Sequence, residues 1–130
     1  MSALDHLKSL AATPASIHAD MVASLAKPGE DIVASLEPTG AHALHMAVGI
    51  SGEAGELLDA IKKGVIYNKP WNIENIMEEL GDLEFYMEGL RQAFELSRDE
   101  ILASNIKKLS RRYAGLQYSD QAAQQRADKA

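Results

Sequence analysis

The 130-residue chain contains no cysteine, which excludes disulfides and thiolate metal sites and fits a reducing compartment. Valine, isoleucine and threonine are sparse and period-2 alternation is absent, so nothing supports a sheet. No apolar run reaches the length that crosses a membrane. Asp5, His6 and Lys8 interrupt the N-terminal stretch, which is therefore no signal peptide. Thirteen basic residues against nineteen acidic give a net charge of −6, so the positive footprint of a duplex-nucleic-acid binder is missing. A cytoplasmic protein is expected, with neither membrane nor duplex nucleic acid as partner.

What is present reads as one helical domain. Hydrophobic residues make up 46% and charged residues 25%, an ordinary balance for a single core. Apolar residues recur at three and four, which predicts an all-α fold. Met1–Ala12 reads as a short helix or a loose arm. Thr13-Pro14 is an N-cap followed by proline at the first helical position, opening a helix that stops at Lys27-Pro28-Gly29. One or two irregular turns follow over residues 30–38. A long helix is expected over about 40–66, then a loop at 67–71, then a helix capped by Asn72 and running to about Leu96. Ser97-Arg-Asp-Glu100 is a capping box that opens a fourth helix, about 98–112, with Ile101, Leu102, Ile106 and Leu109 turned inward. The polar tail holds Ser119-Asp120, which could cap one further weak helix.

The two central helices share a design. Stepping about 100° per residue, Met46, Ile50, Ala54, Leu57, Leu58 and Ile61 form one apolar arc, with His42, His45, Glu53 and Glu56 on its flank. On the next helix Ile76, Leu80, Leu83, Met87, Leu90 and Phe94 make the stripe, with Glu79, Asp82 and Tyr86 beside it. Helices joined by so short a loop pack antiparallel, which would let the two acidic edges face each other. Acid pairs at i, i+3 are ordinarily solvated surface. Here both pairs flank an apolar stripe, and Gly52, Gly55 and Gly81 stand among them. Glycine inside a helix costs roughly 1 kcal/mol against alanine, so close approach is expected at those positions.

Four carboxylates converging on one spot require protons, basic partners or divalent cations. Oxygen-only ligation suits magnesium, with manganese as a substitute, and such an ion takes phosphate oxygens readily. The natural substrate is then a polyphosphate. A carboxylate of the cluster without its own metal bond could act as general base. Asn105, Lys108 and Arg112 follow i, i+3, i+7 spacing and offer one face of an amide and two cations for phosphate. That run could equally be the cation enrichment favoured near a helix C-terminus. His45 is a candidate substrate contact and His42 a weaker one. Trp71 and Tyr86 read first as packing residues, with base stacking as the alternative. A di-iron carboxylate bundle would need Glu-x-x-His pairs, and the chain has none.

Glu53-x-x-Glu56, then Glu79-x-x-Asp82 within Glu78-Glu-Leu-Gly-Asp-Leu83, then Asn105-Ile-Lys-Lys108-Leu-Ser-Arg-Arg112-Tyr113, resembles the MazG-like family of all-α nucleoside triphosphate pyrophosphohydrolases. The likeness covers about residues 40–115, leaving 1–39 as an N-terminal helical arm and 116–130 as a polar C-terminal tail. It implies a four-to-five-helix bundle completed by a second subunit, in a homodimer or homotetramer. It also implies magnesium-dependent cleavage between the α- and β-phosphates of a nucleoside triphosphate, in a house-cleaning role. Glu53, Glu56, Glu79 and Asp82 would be catalytic metal ligands, and one of them, or Glu78, would activate water. Lys108 and Arg112 would touch phosphates, and Asn105 phosphates or sugar, with His45 and Tyr86 as further substrate contacts. Dimeric dUTPases and phosphoribosyl-ATP pyrophosphohydrolases share the acidic frame and stay open as alternatives, as does a non-catalytic module that senses nucleotide or binds another protein.

Overall fold

The computed structural model describes residues 2, 4, 5 and 12–126. Six helices and no strand occur among them, so the all-α expectation holds. The arm expected over Met1–Ala12 falls mostly outside the described residues. The chain divides into two units, residues 1–37 and 38–130.

In the first unit, α1 (Pro14–Leu25) starts where Thr13 caps it, the Ser16 amide donating to Thr13 Oγ1 at 3.2 Å. The Lys27-Pro28 break separates it from α2 (Gly29–Ser35). Neither helix contains a buried residue.

In the second unit, α3 (Pro38–Val65) and α4 (Ile73–Ala93) form an antiparallel hairpin, the only extensive helix packing among the described residues. Asn72 caps α4 by accepting from the Asn75 amide at 3.0 Å. The end of α4 is closed by the Leu96 amide donating to the Arg91 carbonyl and the Glu95 amide to that of Gln92, with Glu95 left-handed at φ 55°. Both halves of the capping box at Ser97 and Glu100 form, starting α5 (Arg98–Arg112). Near the end of α4 the buried Arg91 reaches Glu88 at 2.8 Å and Glu84 at 3.7 Å and holds the Glu88 carboxyl below its usual range, while Arg98 at the start of α5 reaches Glu84 at 3.7 Å across the corner. A short α6 (Asp120–Gln125) begins at Ser119, which accepts from the Ala122 amide.

The register of the hairpin is read from its glycines. A Cβ on Gly89 would strike Met46, one on Gly49 would strike the Tyr86 ring, and one on Gly64 would strike Trp71. The numbers of each facing pair sum to 135, whether 46 and 89, 49 and 86, or 64 and 71. A constant sum is the mark of one antiparallel register, and the same register sets Glu53 opposite Asp82 and Glu56 opposite Glu79.

Three sequence expectations change. Gly52, Gly55 and Gly81 have open space where a Cβ would stand, because they lie off the seam, while the close approaches fall at Gly49, Gly64 and Gly89. The acids do not flank the packed surface, since the helices pair along the acidic edge itself. Counting about 100° per residue, each apolar stripe is then turned roughly a right angle from the seam. Met46 alone of the α3 arc is buried, while Leu58 is 68% exposed. On α4, Leu80 and Phe94 are exposed. Finally, Ile101, Leu102, Ile106 and Leu109 of α5 do not point into a core, and all four are exposed. Among the described residues of the second unit no further helix packs extensively on the hairpin.

Candidate metal centre

Halfway along the hairpin the seam changes from small and apolar to acidic. Glu53 and Glu79 are half-buried there, and Glu56 and Asp82 are exposed at its rim. One oxygen from each of Glu53, Glu79 and Asp82 falls within 4.8 Å of the others, close enough to hold one cation. Helix geometry produces this convergence: i, i+3 spacing stacks each pair on one face, and the antiparallel register sets the pairs against each other.

Glu79 carries the electrostatic strain. A hydrogen bond with the Glu53 carboxyl pushes its pKa up from 4.5 to about 7. Desolvation and the charges of Glu53, Glu56 and Asp82 add to that rise. Two carboxyls can share such a bond only through a proton, so above neutrality the pair needs a positive charge between them. Glu79 Oε2 is buried without a hydrogen-bond partner. A buried, unsatisfied carboxylate oxygen on a residue clustered with two more acids fits a hard divalent cation.

The other sequence candidates are placed unequally. Tyr86 lies one turn beyond Asp82 on α4, its ring against Gly49 and edge-on to Phe85 and His45, with centroids 5.2 and 6.2 Å away. His45 and His42 are exposed near the start of α3. Trp71 packs on Gly64 at the loop, away from the acids. Asn105, Lys108 and Arg112 follow one another along α5, which does not pack along the hairpin. Glu78 is exposed beside Glu79. The sequence reading missed Gly49 and Gly89, although each stands one heptad from an acid, at Glu56 minus seven and Asp82 plus seven.

Residues 42–116 match the MazG nucleotide pyrophosphohydrolase domain. The chain belongs to this family. No curated protein and no solved structure matches it. The MazG match spans the hairpin, the α4–α5 corner and all of α5, so the acidic centre lies wholly inside the MazG domain. MazG domains typically act on nucleotides with a divalent metal, and Glu53, Glu79 and Asp82 form an acidic group that could hold one. No helix among the described residues is long and apolar enough to cross a membrane.

Proposed function

We propose that the protein hydrolyses nucleoside triphosphates between the α- and β-phosphates, giving the monophosphate and pyrophosphate, with magnesium or manganese as cofactor. The observation that carries this reading is the convergence of Glu53, Glu79 and Asp82, with one Glu79 oxygen buried and unpartnered. Glu53, Glu56, Glu79 and Asp82 would hold the metal, which when bound neutralises phosphate charge and makes water more acidic. Water oxygen attacks the α-phosphorus, the bond from that phosphorus to the bridging oxygen breaks, and pyrophosphate departs with the electron pair. The water proton passes to a carboxylate without its own metal bond, Glu78, which is exposed beside Glu79 and able to exchange it with solvent. Tyr86, seated on Gly49 beside His45, offers an aromatic face for the base or sugar.

Residues 40–115 form the catalytic domain in this reading, with 1–39 as an arm and 116–130 as a tail, and the protein works in the cytoplasm as a scavenger of unwanted nucleotides. A second copy completes the bundle. The two helices are antiparallel and their stripes are offset from the seam in the same sense, so both stripes fall on one side of the hairpin. That side carries Leu58, Leu80, Met87 and Phe94 exposed, while Glu56 and Asp82 open on the other. A dimer or tetramer closed over the apolar side leaves the centre reachable. It could also bring Asn105, Lys108 and Arg112 of α5 to the substrate.

The test is a panel of canonical and modified triphosphates assayed for pyrophosphate with and without magnesium. Turnover that needs the metal and disappears in Glu56→Gln and Asp82→Asn supports the assignment. Full activity in those variants would place the site elsewhere, and silence across the panel would favour a binding module.

A further inference from the structure

The seam register places one more polar group in line with the acidic centre. Seven residues beyond Glu53 and Glu56 stand Ala60 and Lys63, and seven before Glu79 and Asp82 stand Asn72 and Asn75. These four, with Lys69 and Pro70 of the loop, line a cavity of about 280 Å³. It lies two helical turns from the acids on the same face, about 10 Å along the axis. Side chains on a helix lean toward its N-terminus, so Lys63 reaches back toward the centre, and its Nζ meets Asp59 at 3.1 Å. That contact occupies one of the three ammonium donors. Among the described residues the Lys69 side chain makes no ion pair. Asn72 Oδ1 is taken by the Asn75 amide, which leaves its NH₂ to donate.

At the opposite end of the acids lie Gly49, Tyr86 and His45, and Arg91, further along α4, is paired with Glu88 and Glu84. The hairpin thus runs from cations and amides, through carboxylates, to an aromatic notch. A nucleoside triphosphate has the complementary order of terminal phosphates, scissile bond and base. Its charge also exceeds what a metal in a carboxylate cage can offset, so further cations are required near the tail.

We propose that the cavity of Lys63, Lys69, Asn72 and Asn75 is the subsite for the terminal diphosphate, the group that leaves as pyrophosphate, and that it sets the direction in which the substrate lies across the hairpin. This rests on the pyrophosphohydrolase reading above. Lys63 and Lys69 are positioning residues that hold the β- and γ-phosphates while the α-phosphate lies at the acids.

The experiment is calorimetric titration of pyrophosphate and, separately, a nucleoside monophosphate into the full chain with magnesium present. It uses the parent, Lys63→Met, Lys69→Met and, as a control of equal charge change outside the cavity, Lys62→Met, whose ammonium lies over the Tyr67 ring. Helical circular dichroism checks that each variant is folded. The subsite predicts about a tenfold loss of pyrophosphate affinity in each cavity variant (~1.4 kcal/mol), with monophosphate binding within twofold and Lys62→Met like the parent. Unchanged pyrophosphate affinity in both cavity variants, or an equal loss in Lys62→Met, would overturn it. A parent that binds pyrophosphate through these lysines yet turns over no triphosphate would sink the enzymatic reading and leave the subsite standing. Normal turnover with lysine-independent pyrophosphate binding would do the reverse.

Discussion

Glu79 concentrates the chemistry of the molecule in one side chain. Its carboxyl is raised from 4.5 to about 7, so without metal the folded state prefers it protonated. The sign follows from linkage. The favourable term is complete below about pH 4.5 and is lost as pH rises through about 7. Metal-free protein should therefore lose thermal stability across that window, and magnesium should raise the melting temperature above pH 7 but hardly below pH 5. Glu79→Gln should flatten the metal-free profile and abolish the response to magnesium, as melting curves at several pH values would show. A second residue-scale test concerns Gly49. An added methyl would collide with the Tyr86 ring, so Gly49→Ala should cost about 1–3 kcal/mol from overpacking. The displaced ring should also lower kcat/KM roughly ten- to a hundredfold while helical content stays constant. If catalysis is untouched, Tyr86 has no part in the site.

Helix ends were the part of the fold most legible in the sequence, because capping is local chemistry. Thr13, Asn72 and Ser97 each accept the amide three residues on, as their types and spacing foretold. Convergence of Glu53, Glu79 and Asp82 was legible for a related reason, since i, i+3 spacing and a short loop constrain geometry without knowledge of the core, although Glu56, expected with them, falls outside the group. The choice of packing face was not. Both helices carry a wide apolar stripe that competes with the narrow seam, and hydrophobic pattern alone favours the stripe. What identifies the seam is large opposite small, Met46 on Gly89 and Tyr86 on Gly49, and that is visible only once two helices are set in register. The left-handed Glu95 was also hidden, since glycine usually marks that position. Glu95→Gly should stabilise the α4 terminus by about 1 kcal/mol, and Ser97→Ala should destabilise α5 by about 1 kcal/mol, both readable by urea denaturation.

For the molecule as a whole, the described residues leave much apolar surface uncovered. Its hairpin spends the seam on carboxylates and glycines, leaving Leu58, Leu80 and Phe94 exposed on one side and the α5 apolar residues exposed as well. The second copy proposed above would cover that surface. Sedimentation should show a dimer or tetramer, and Leu58→Asp with Leu80→Asp should shift it to monomer. A chain that sediments as a monomer at micromolar concentration would contradict that proposal. The most direct test of the central claim is product analysis after magnesium is added to the purified protein and a nucleoside triphosphate. Monophosphate and pyrophosphate should appear in equal amounts with no diphosphate, and neither should form with Asp82→Asn. Diphosphate with orthophosphate as the products, or undiminished release from Asp82→Asn, would contradict it.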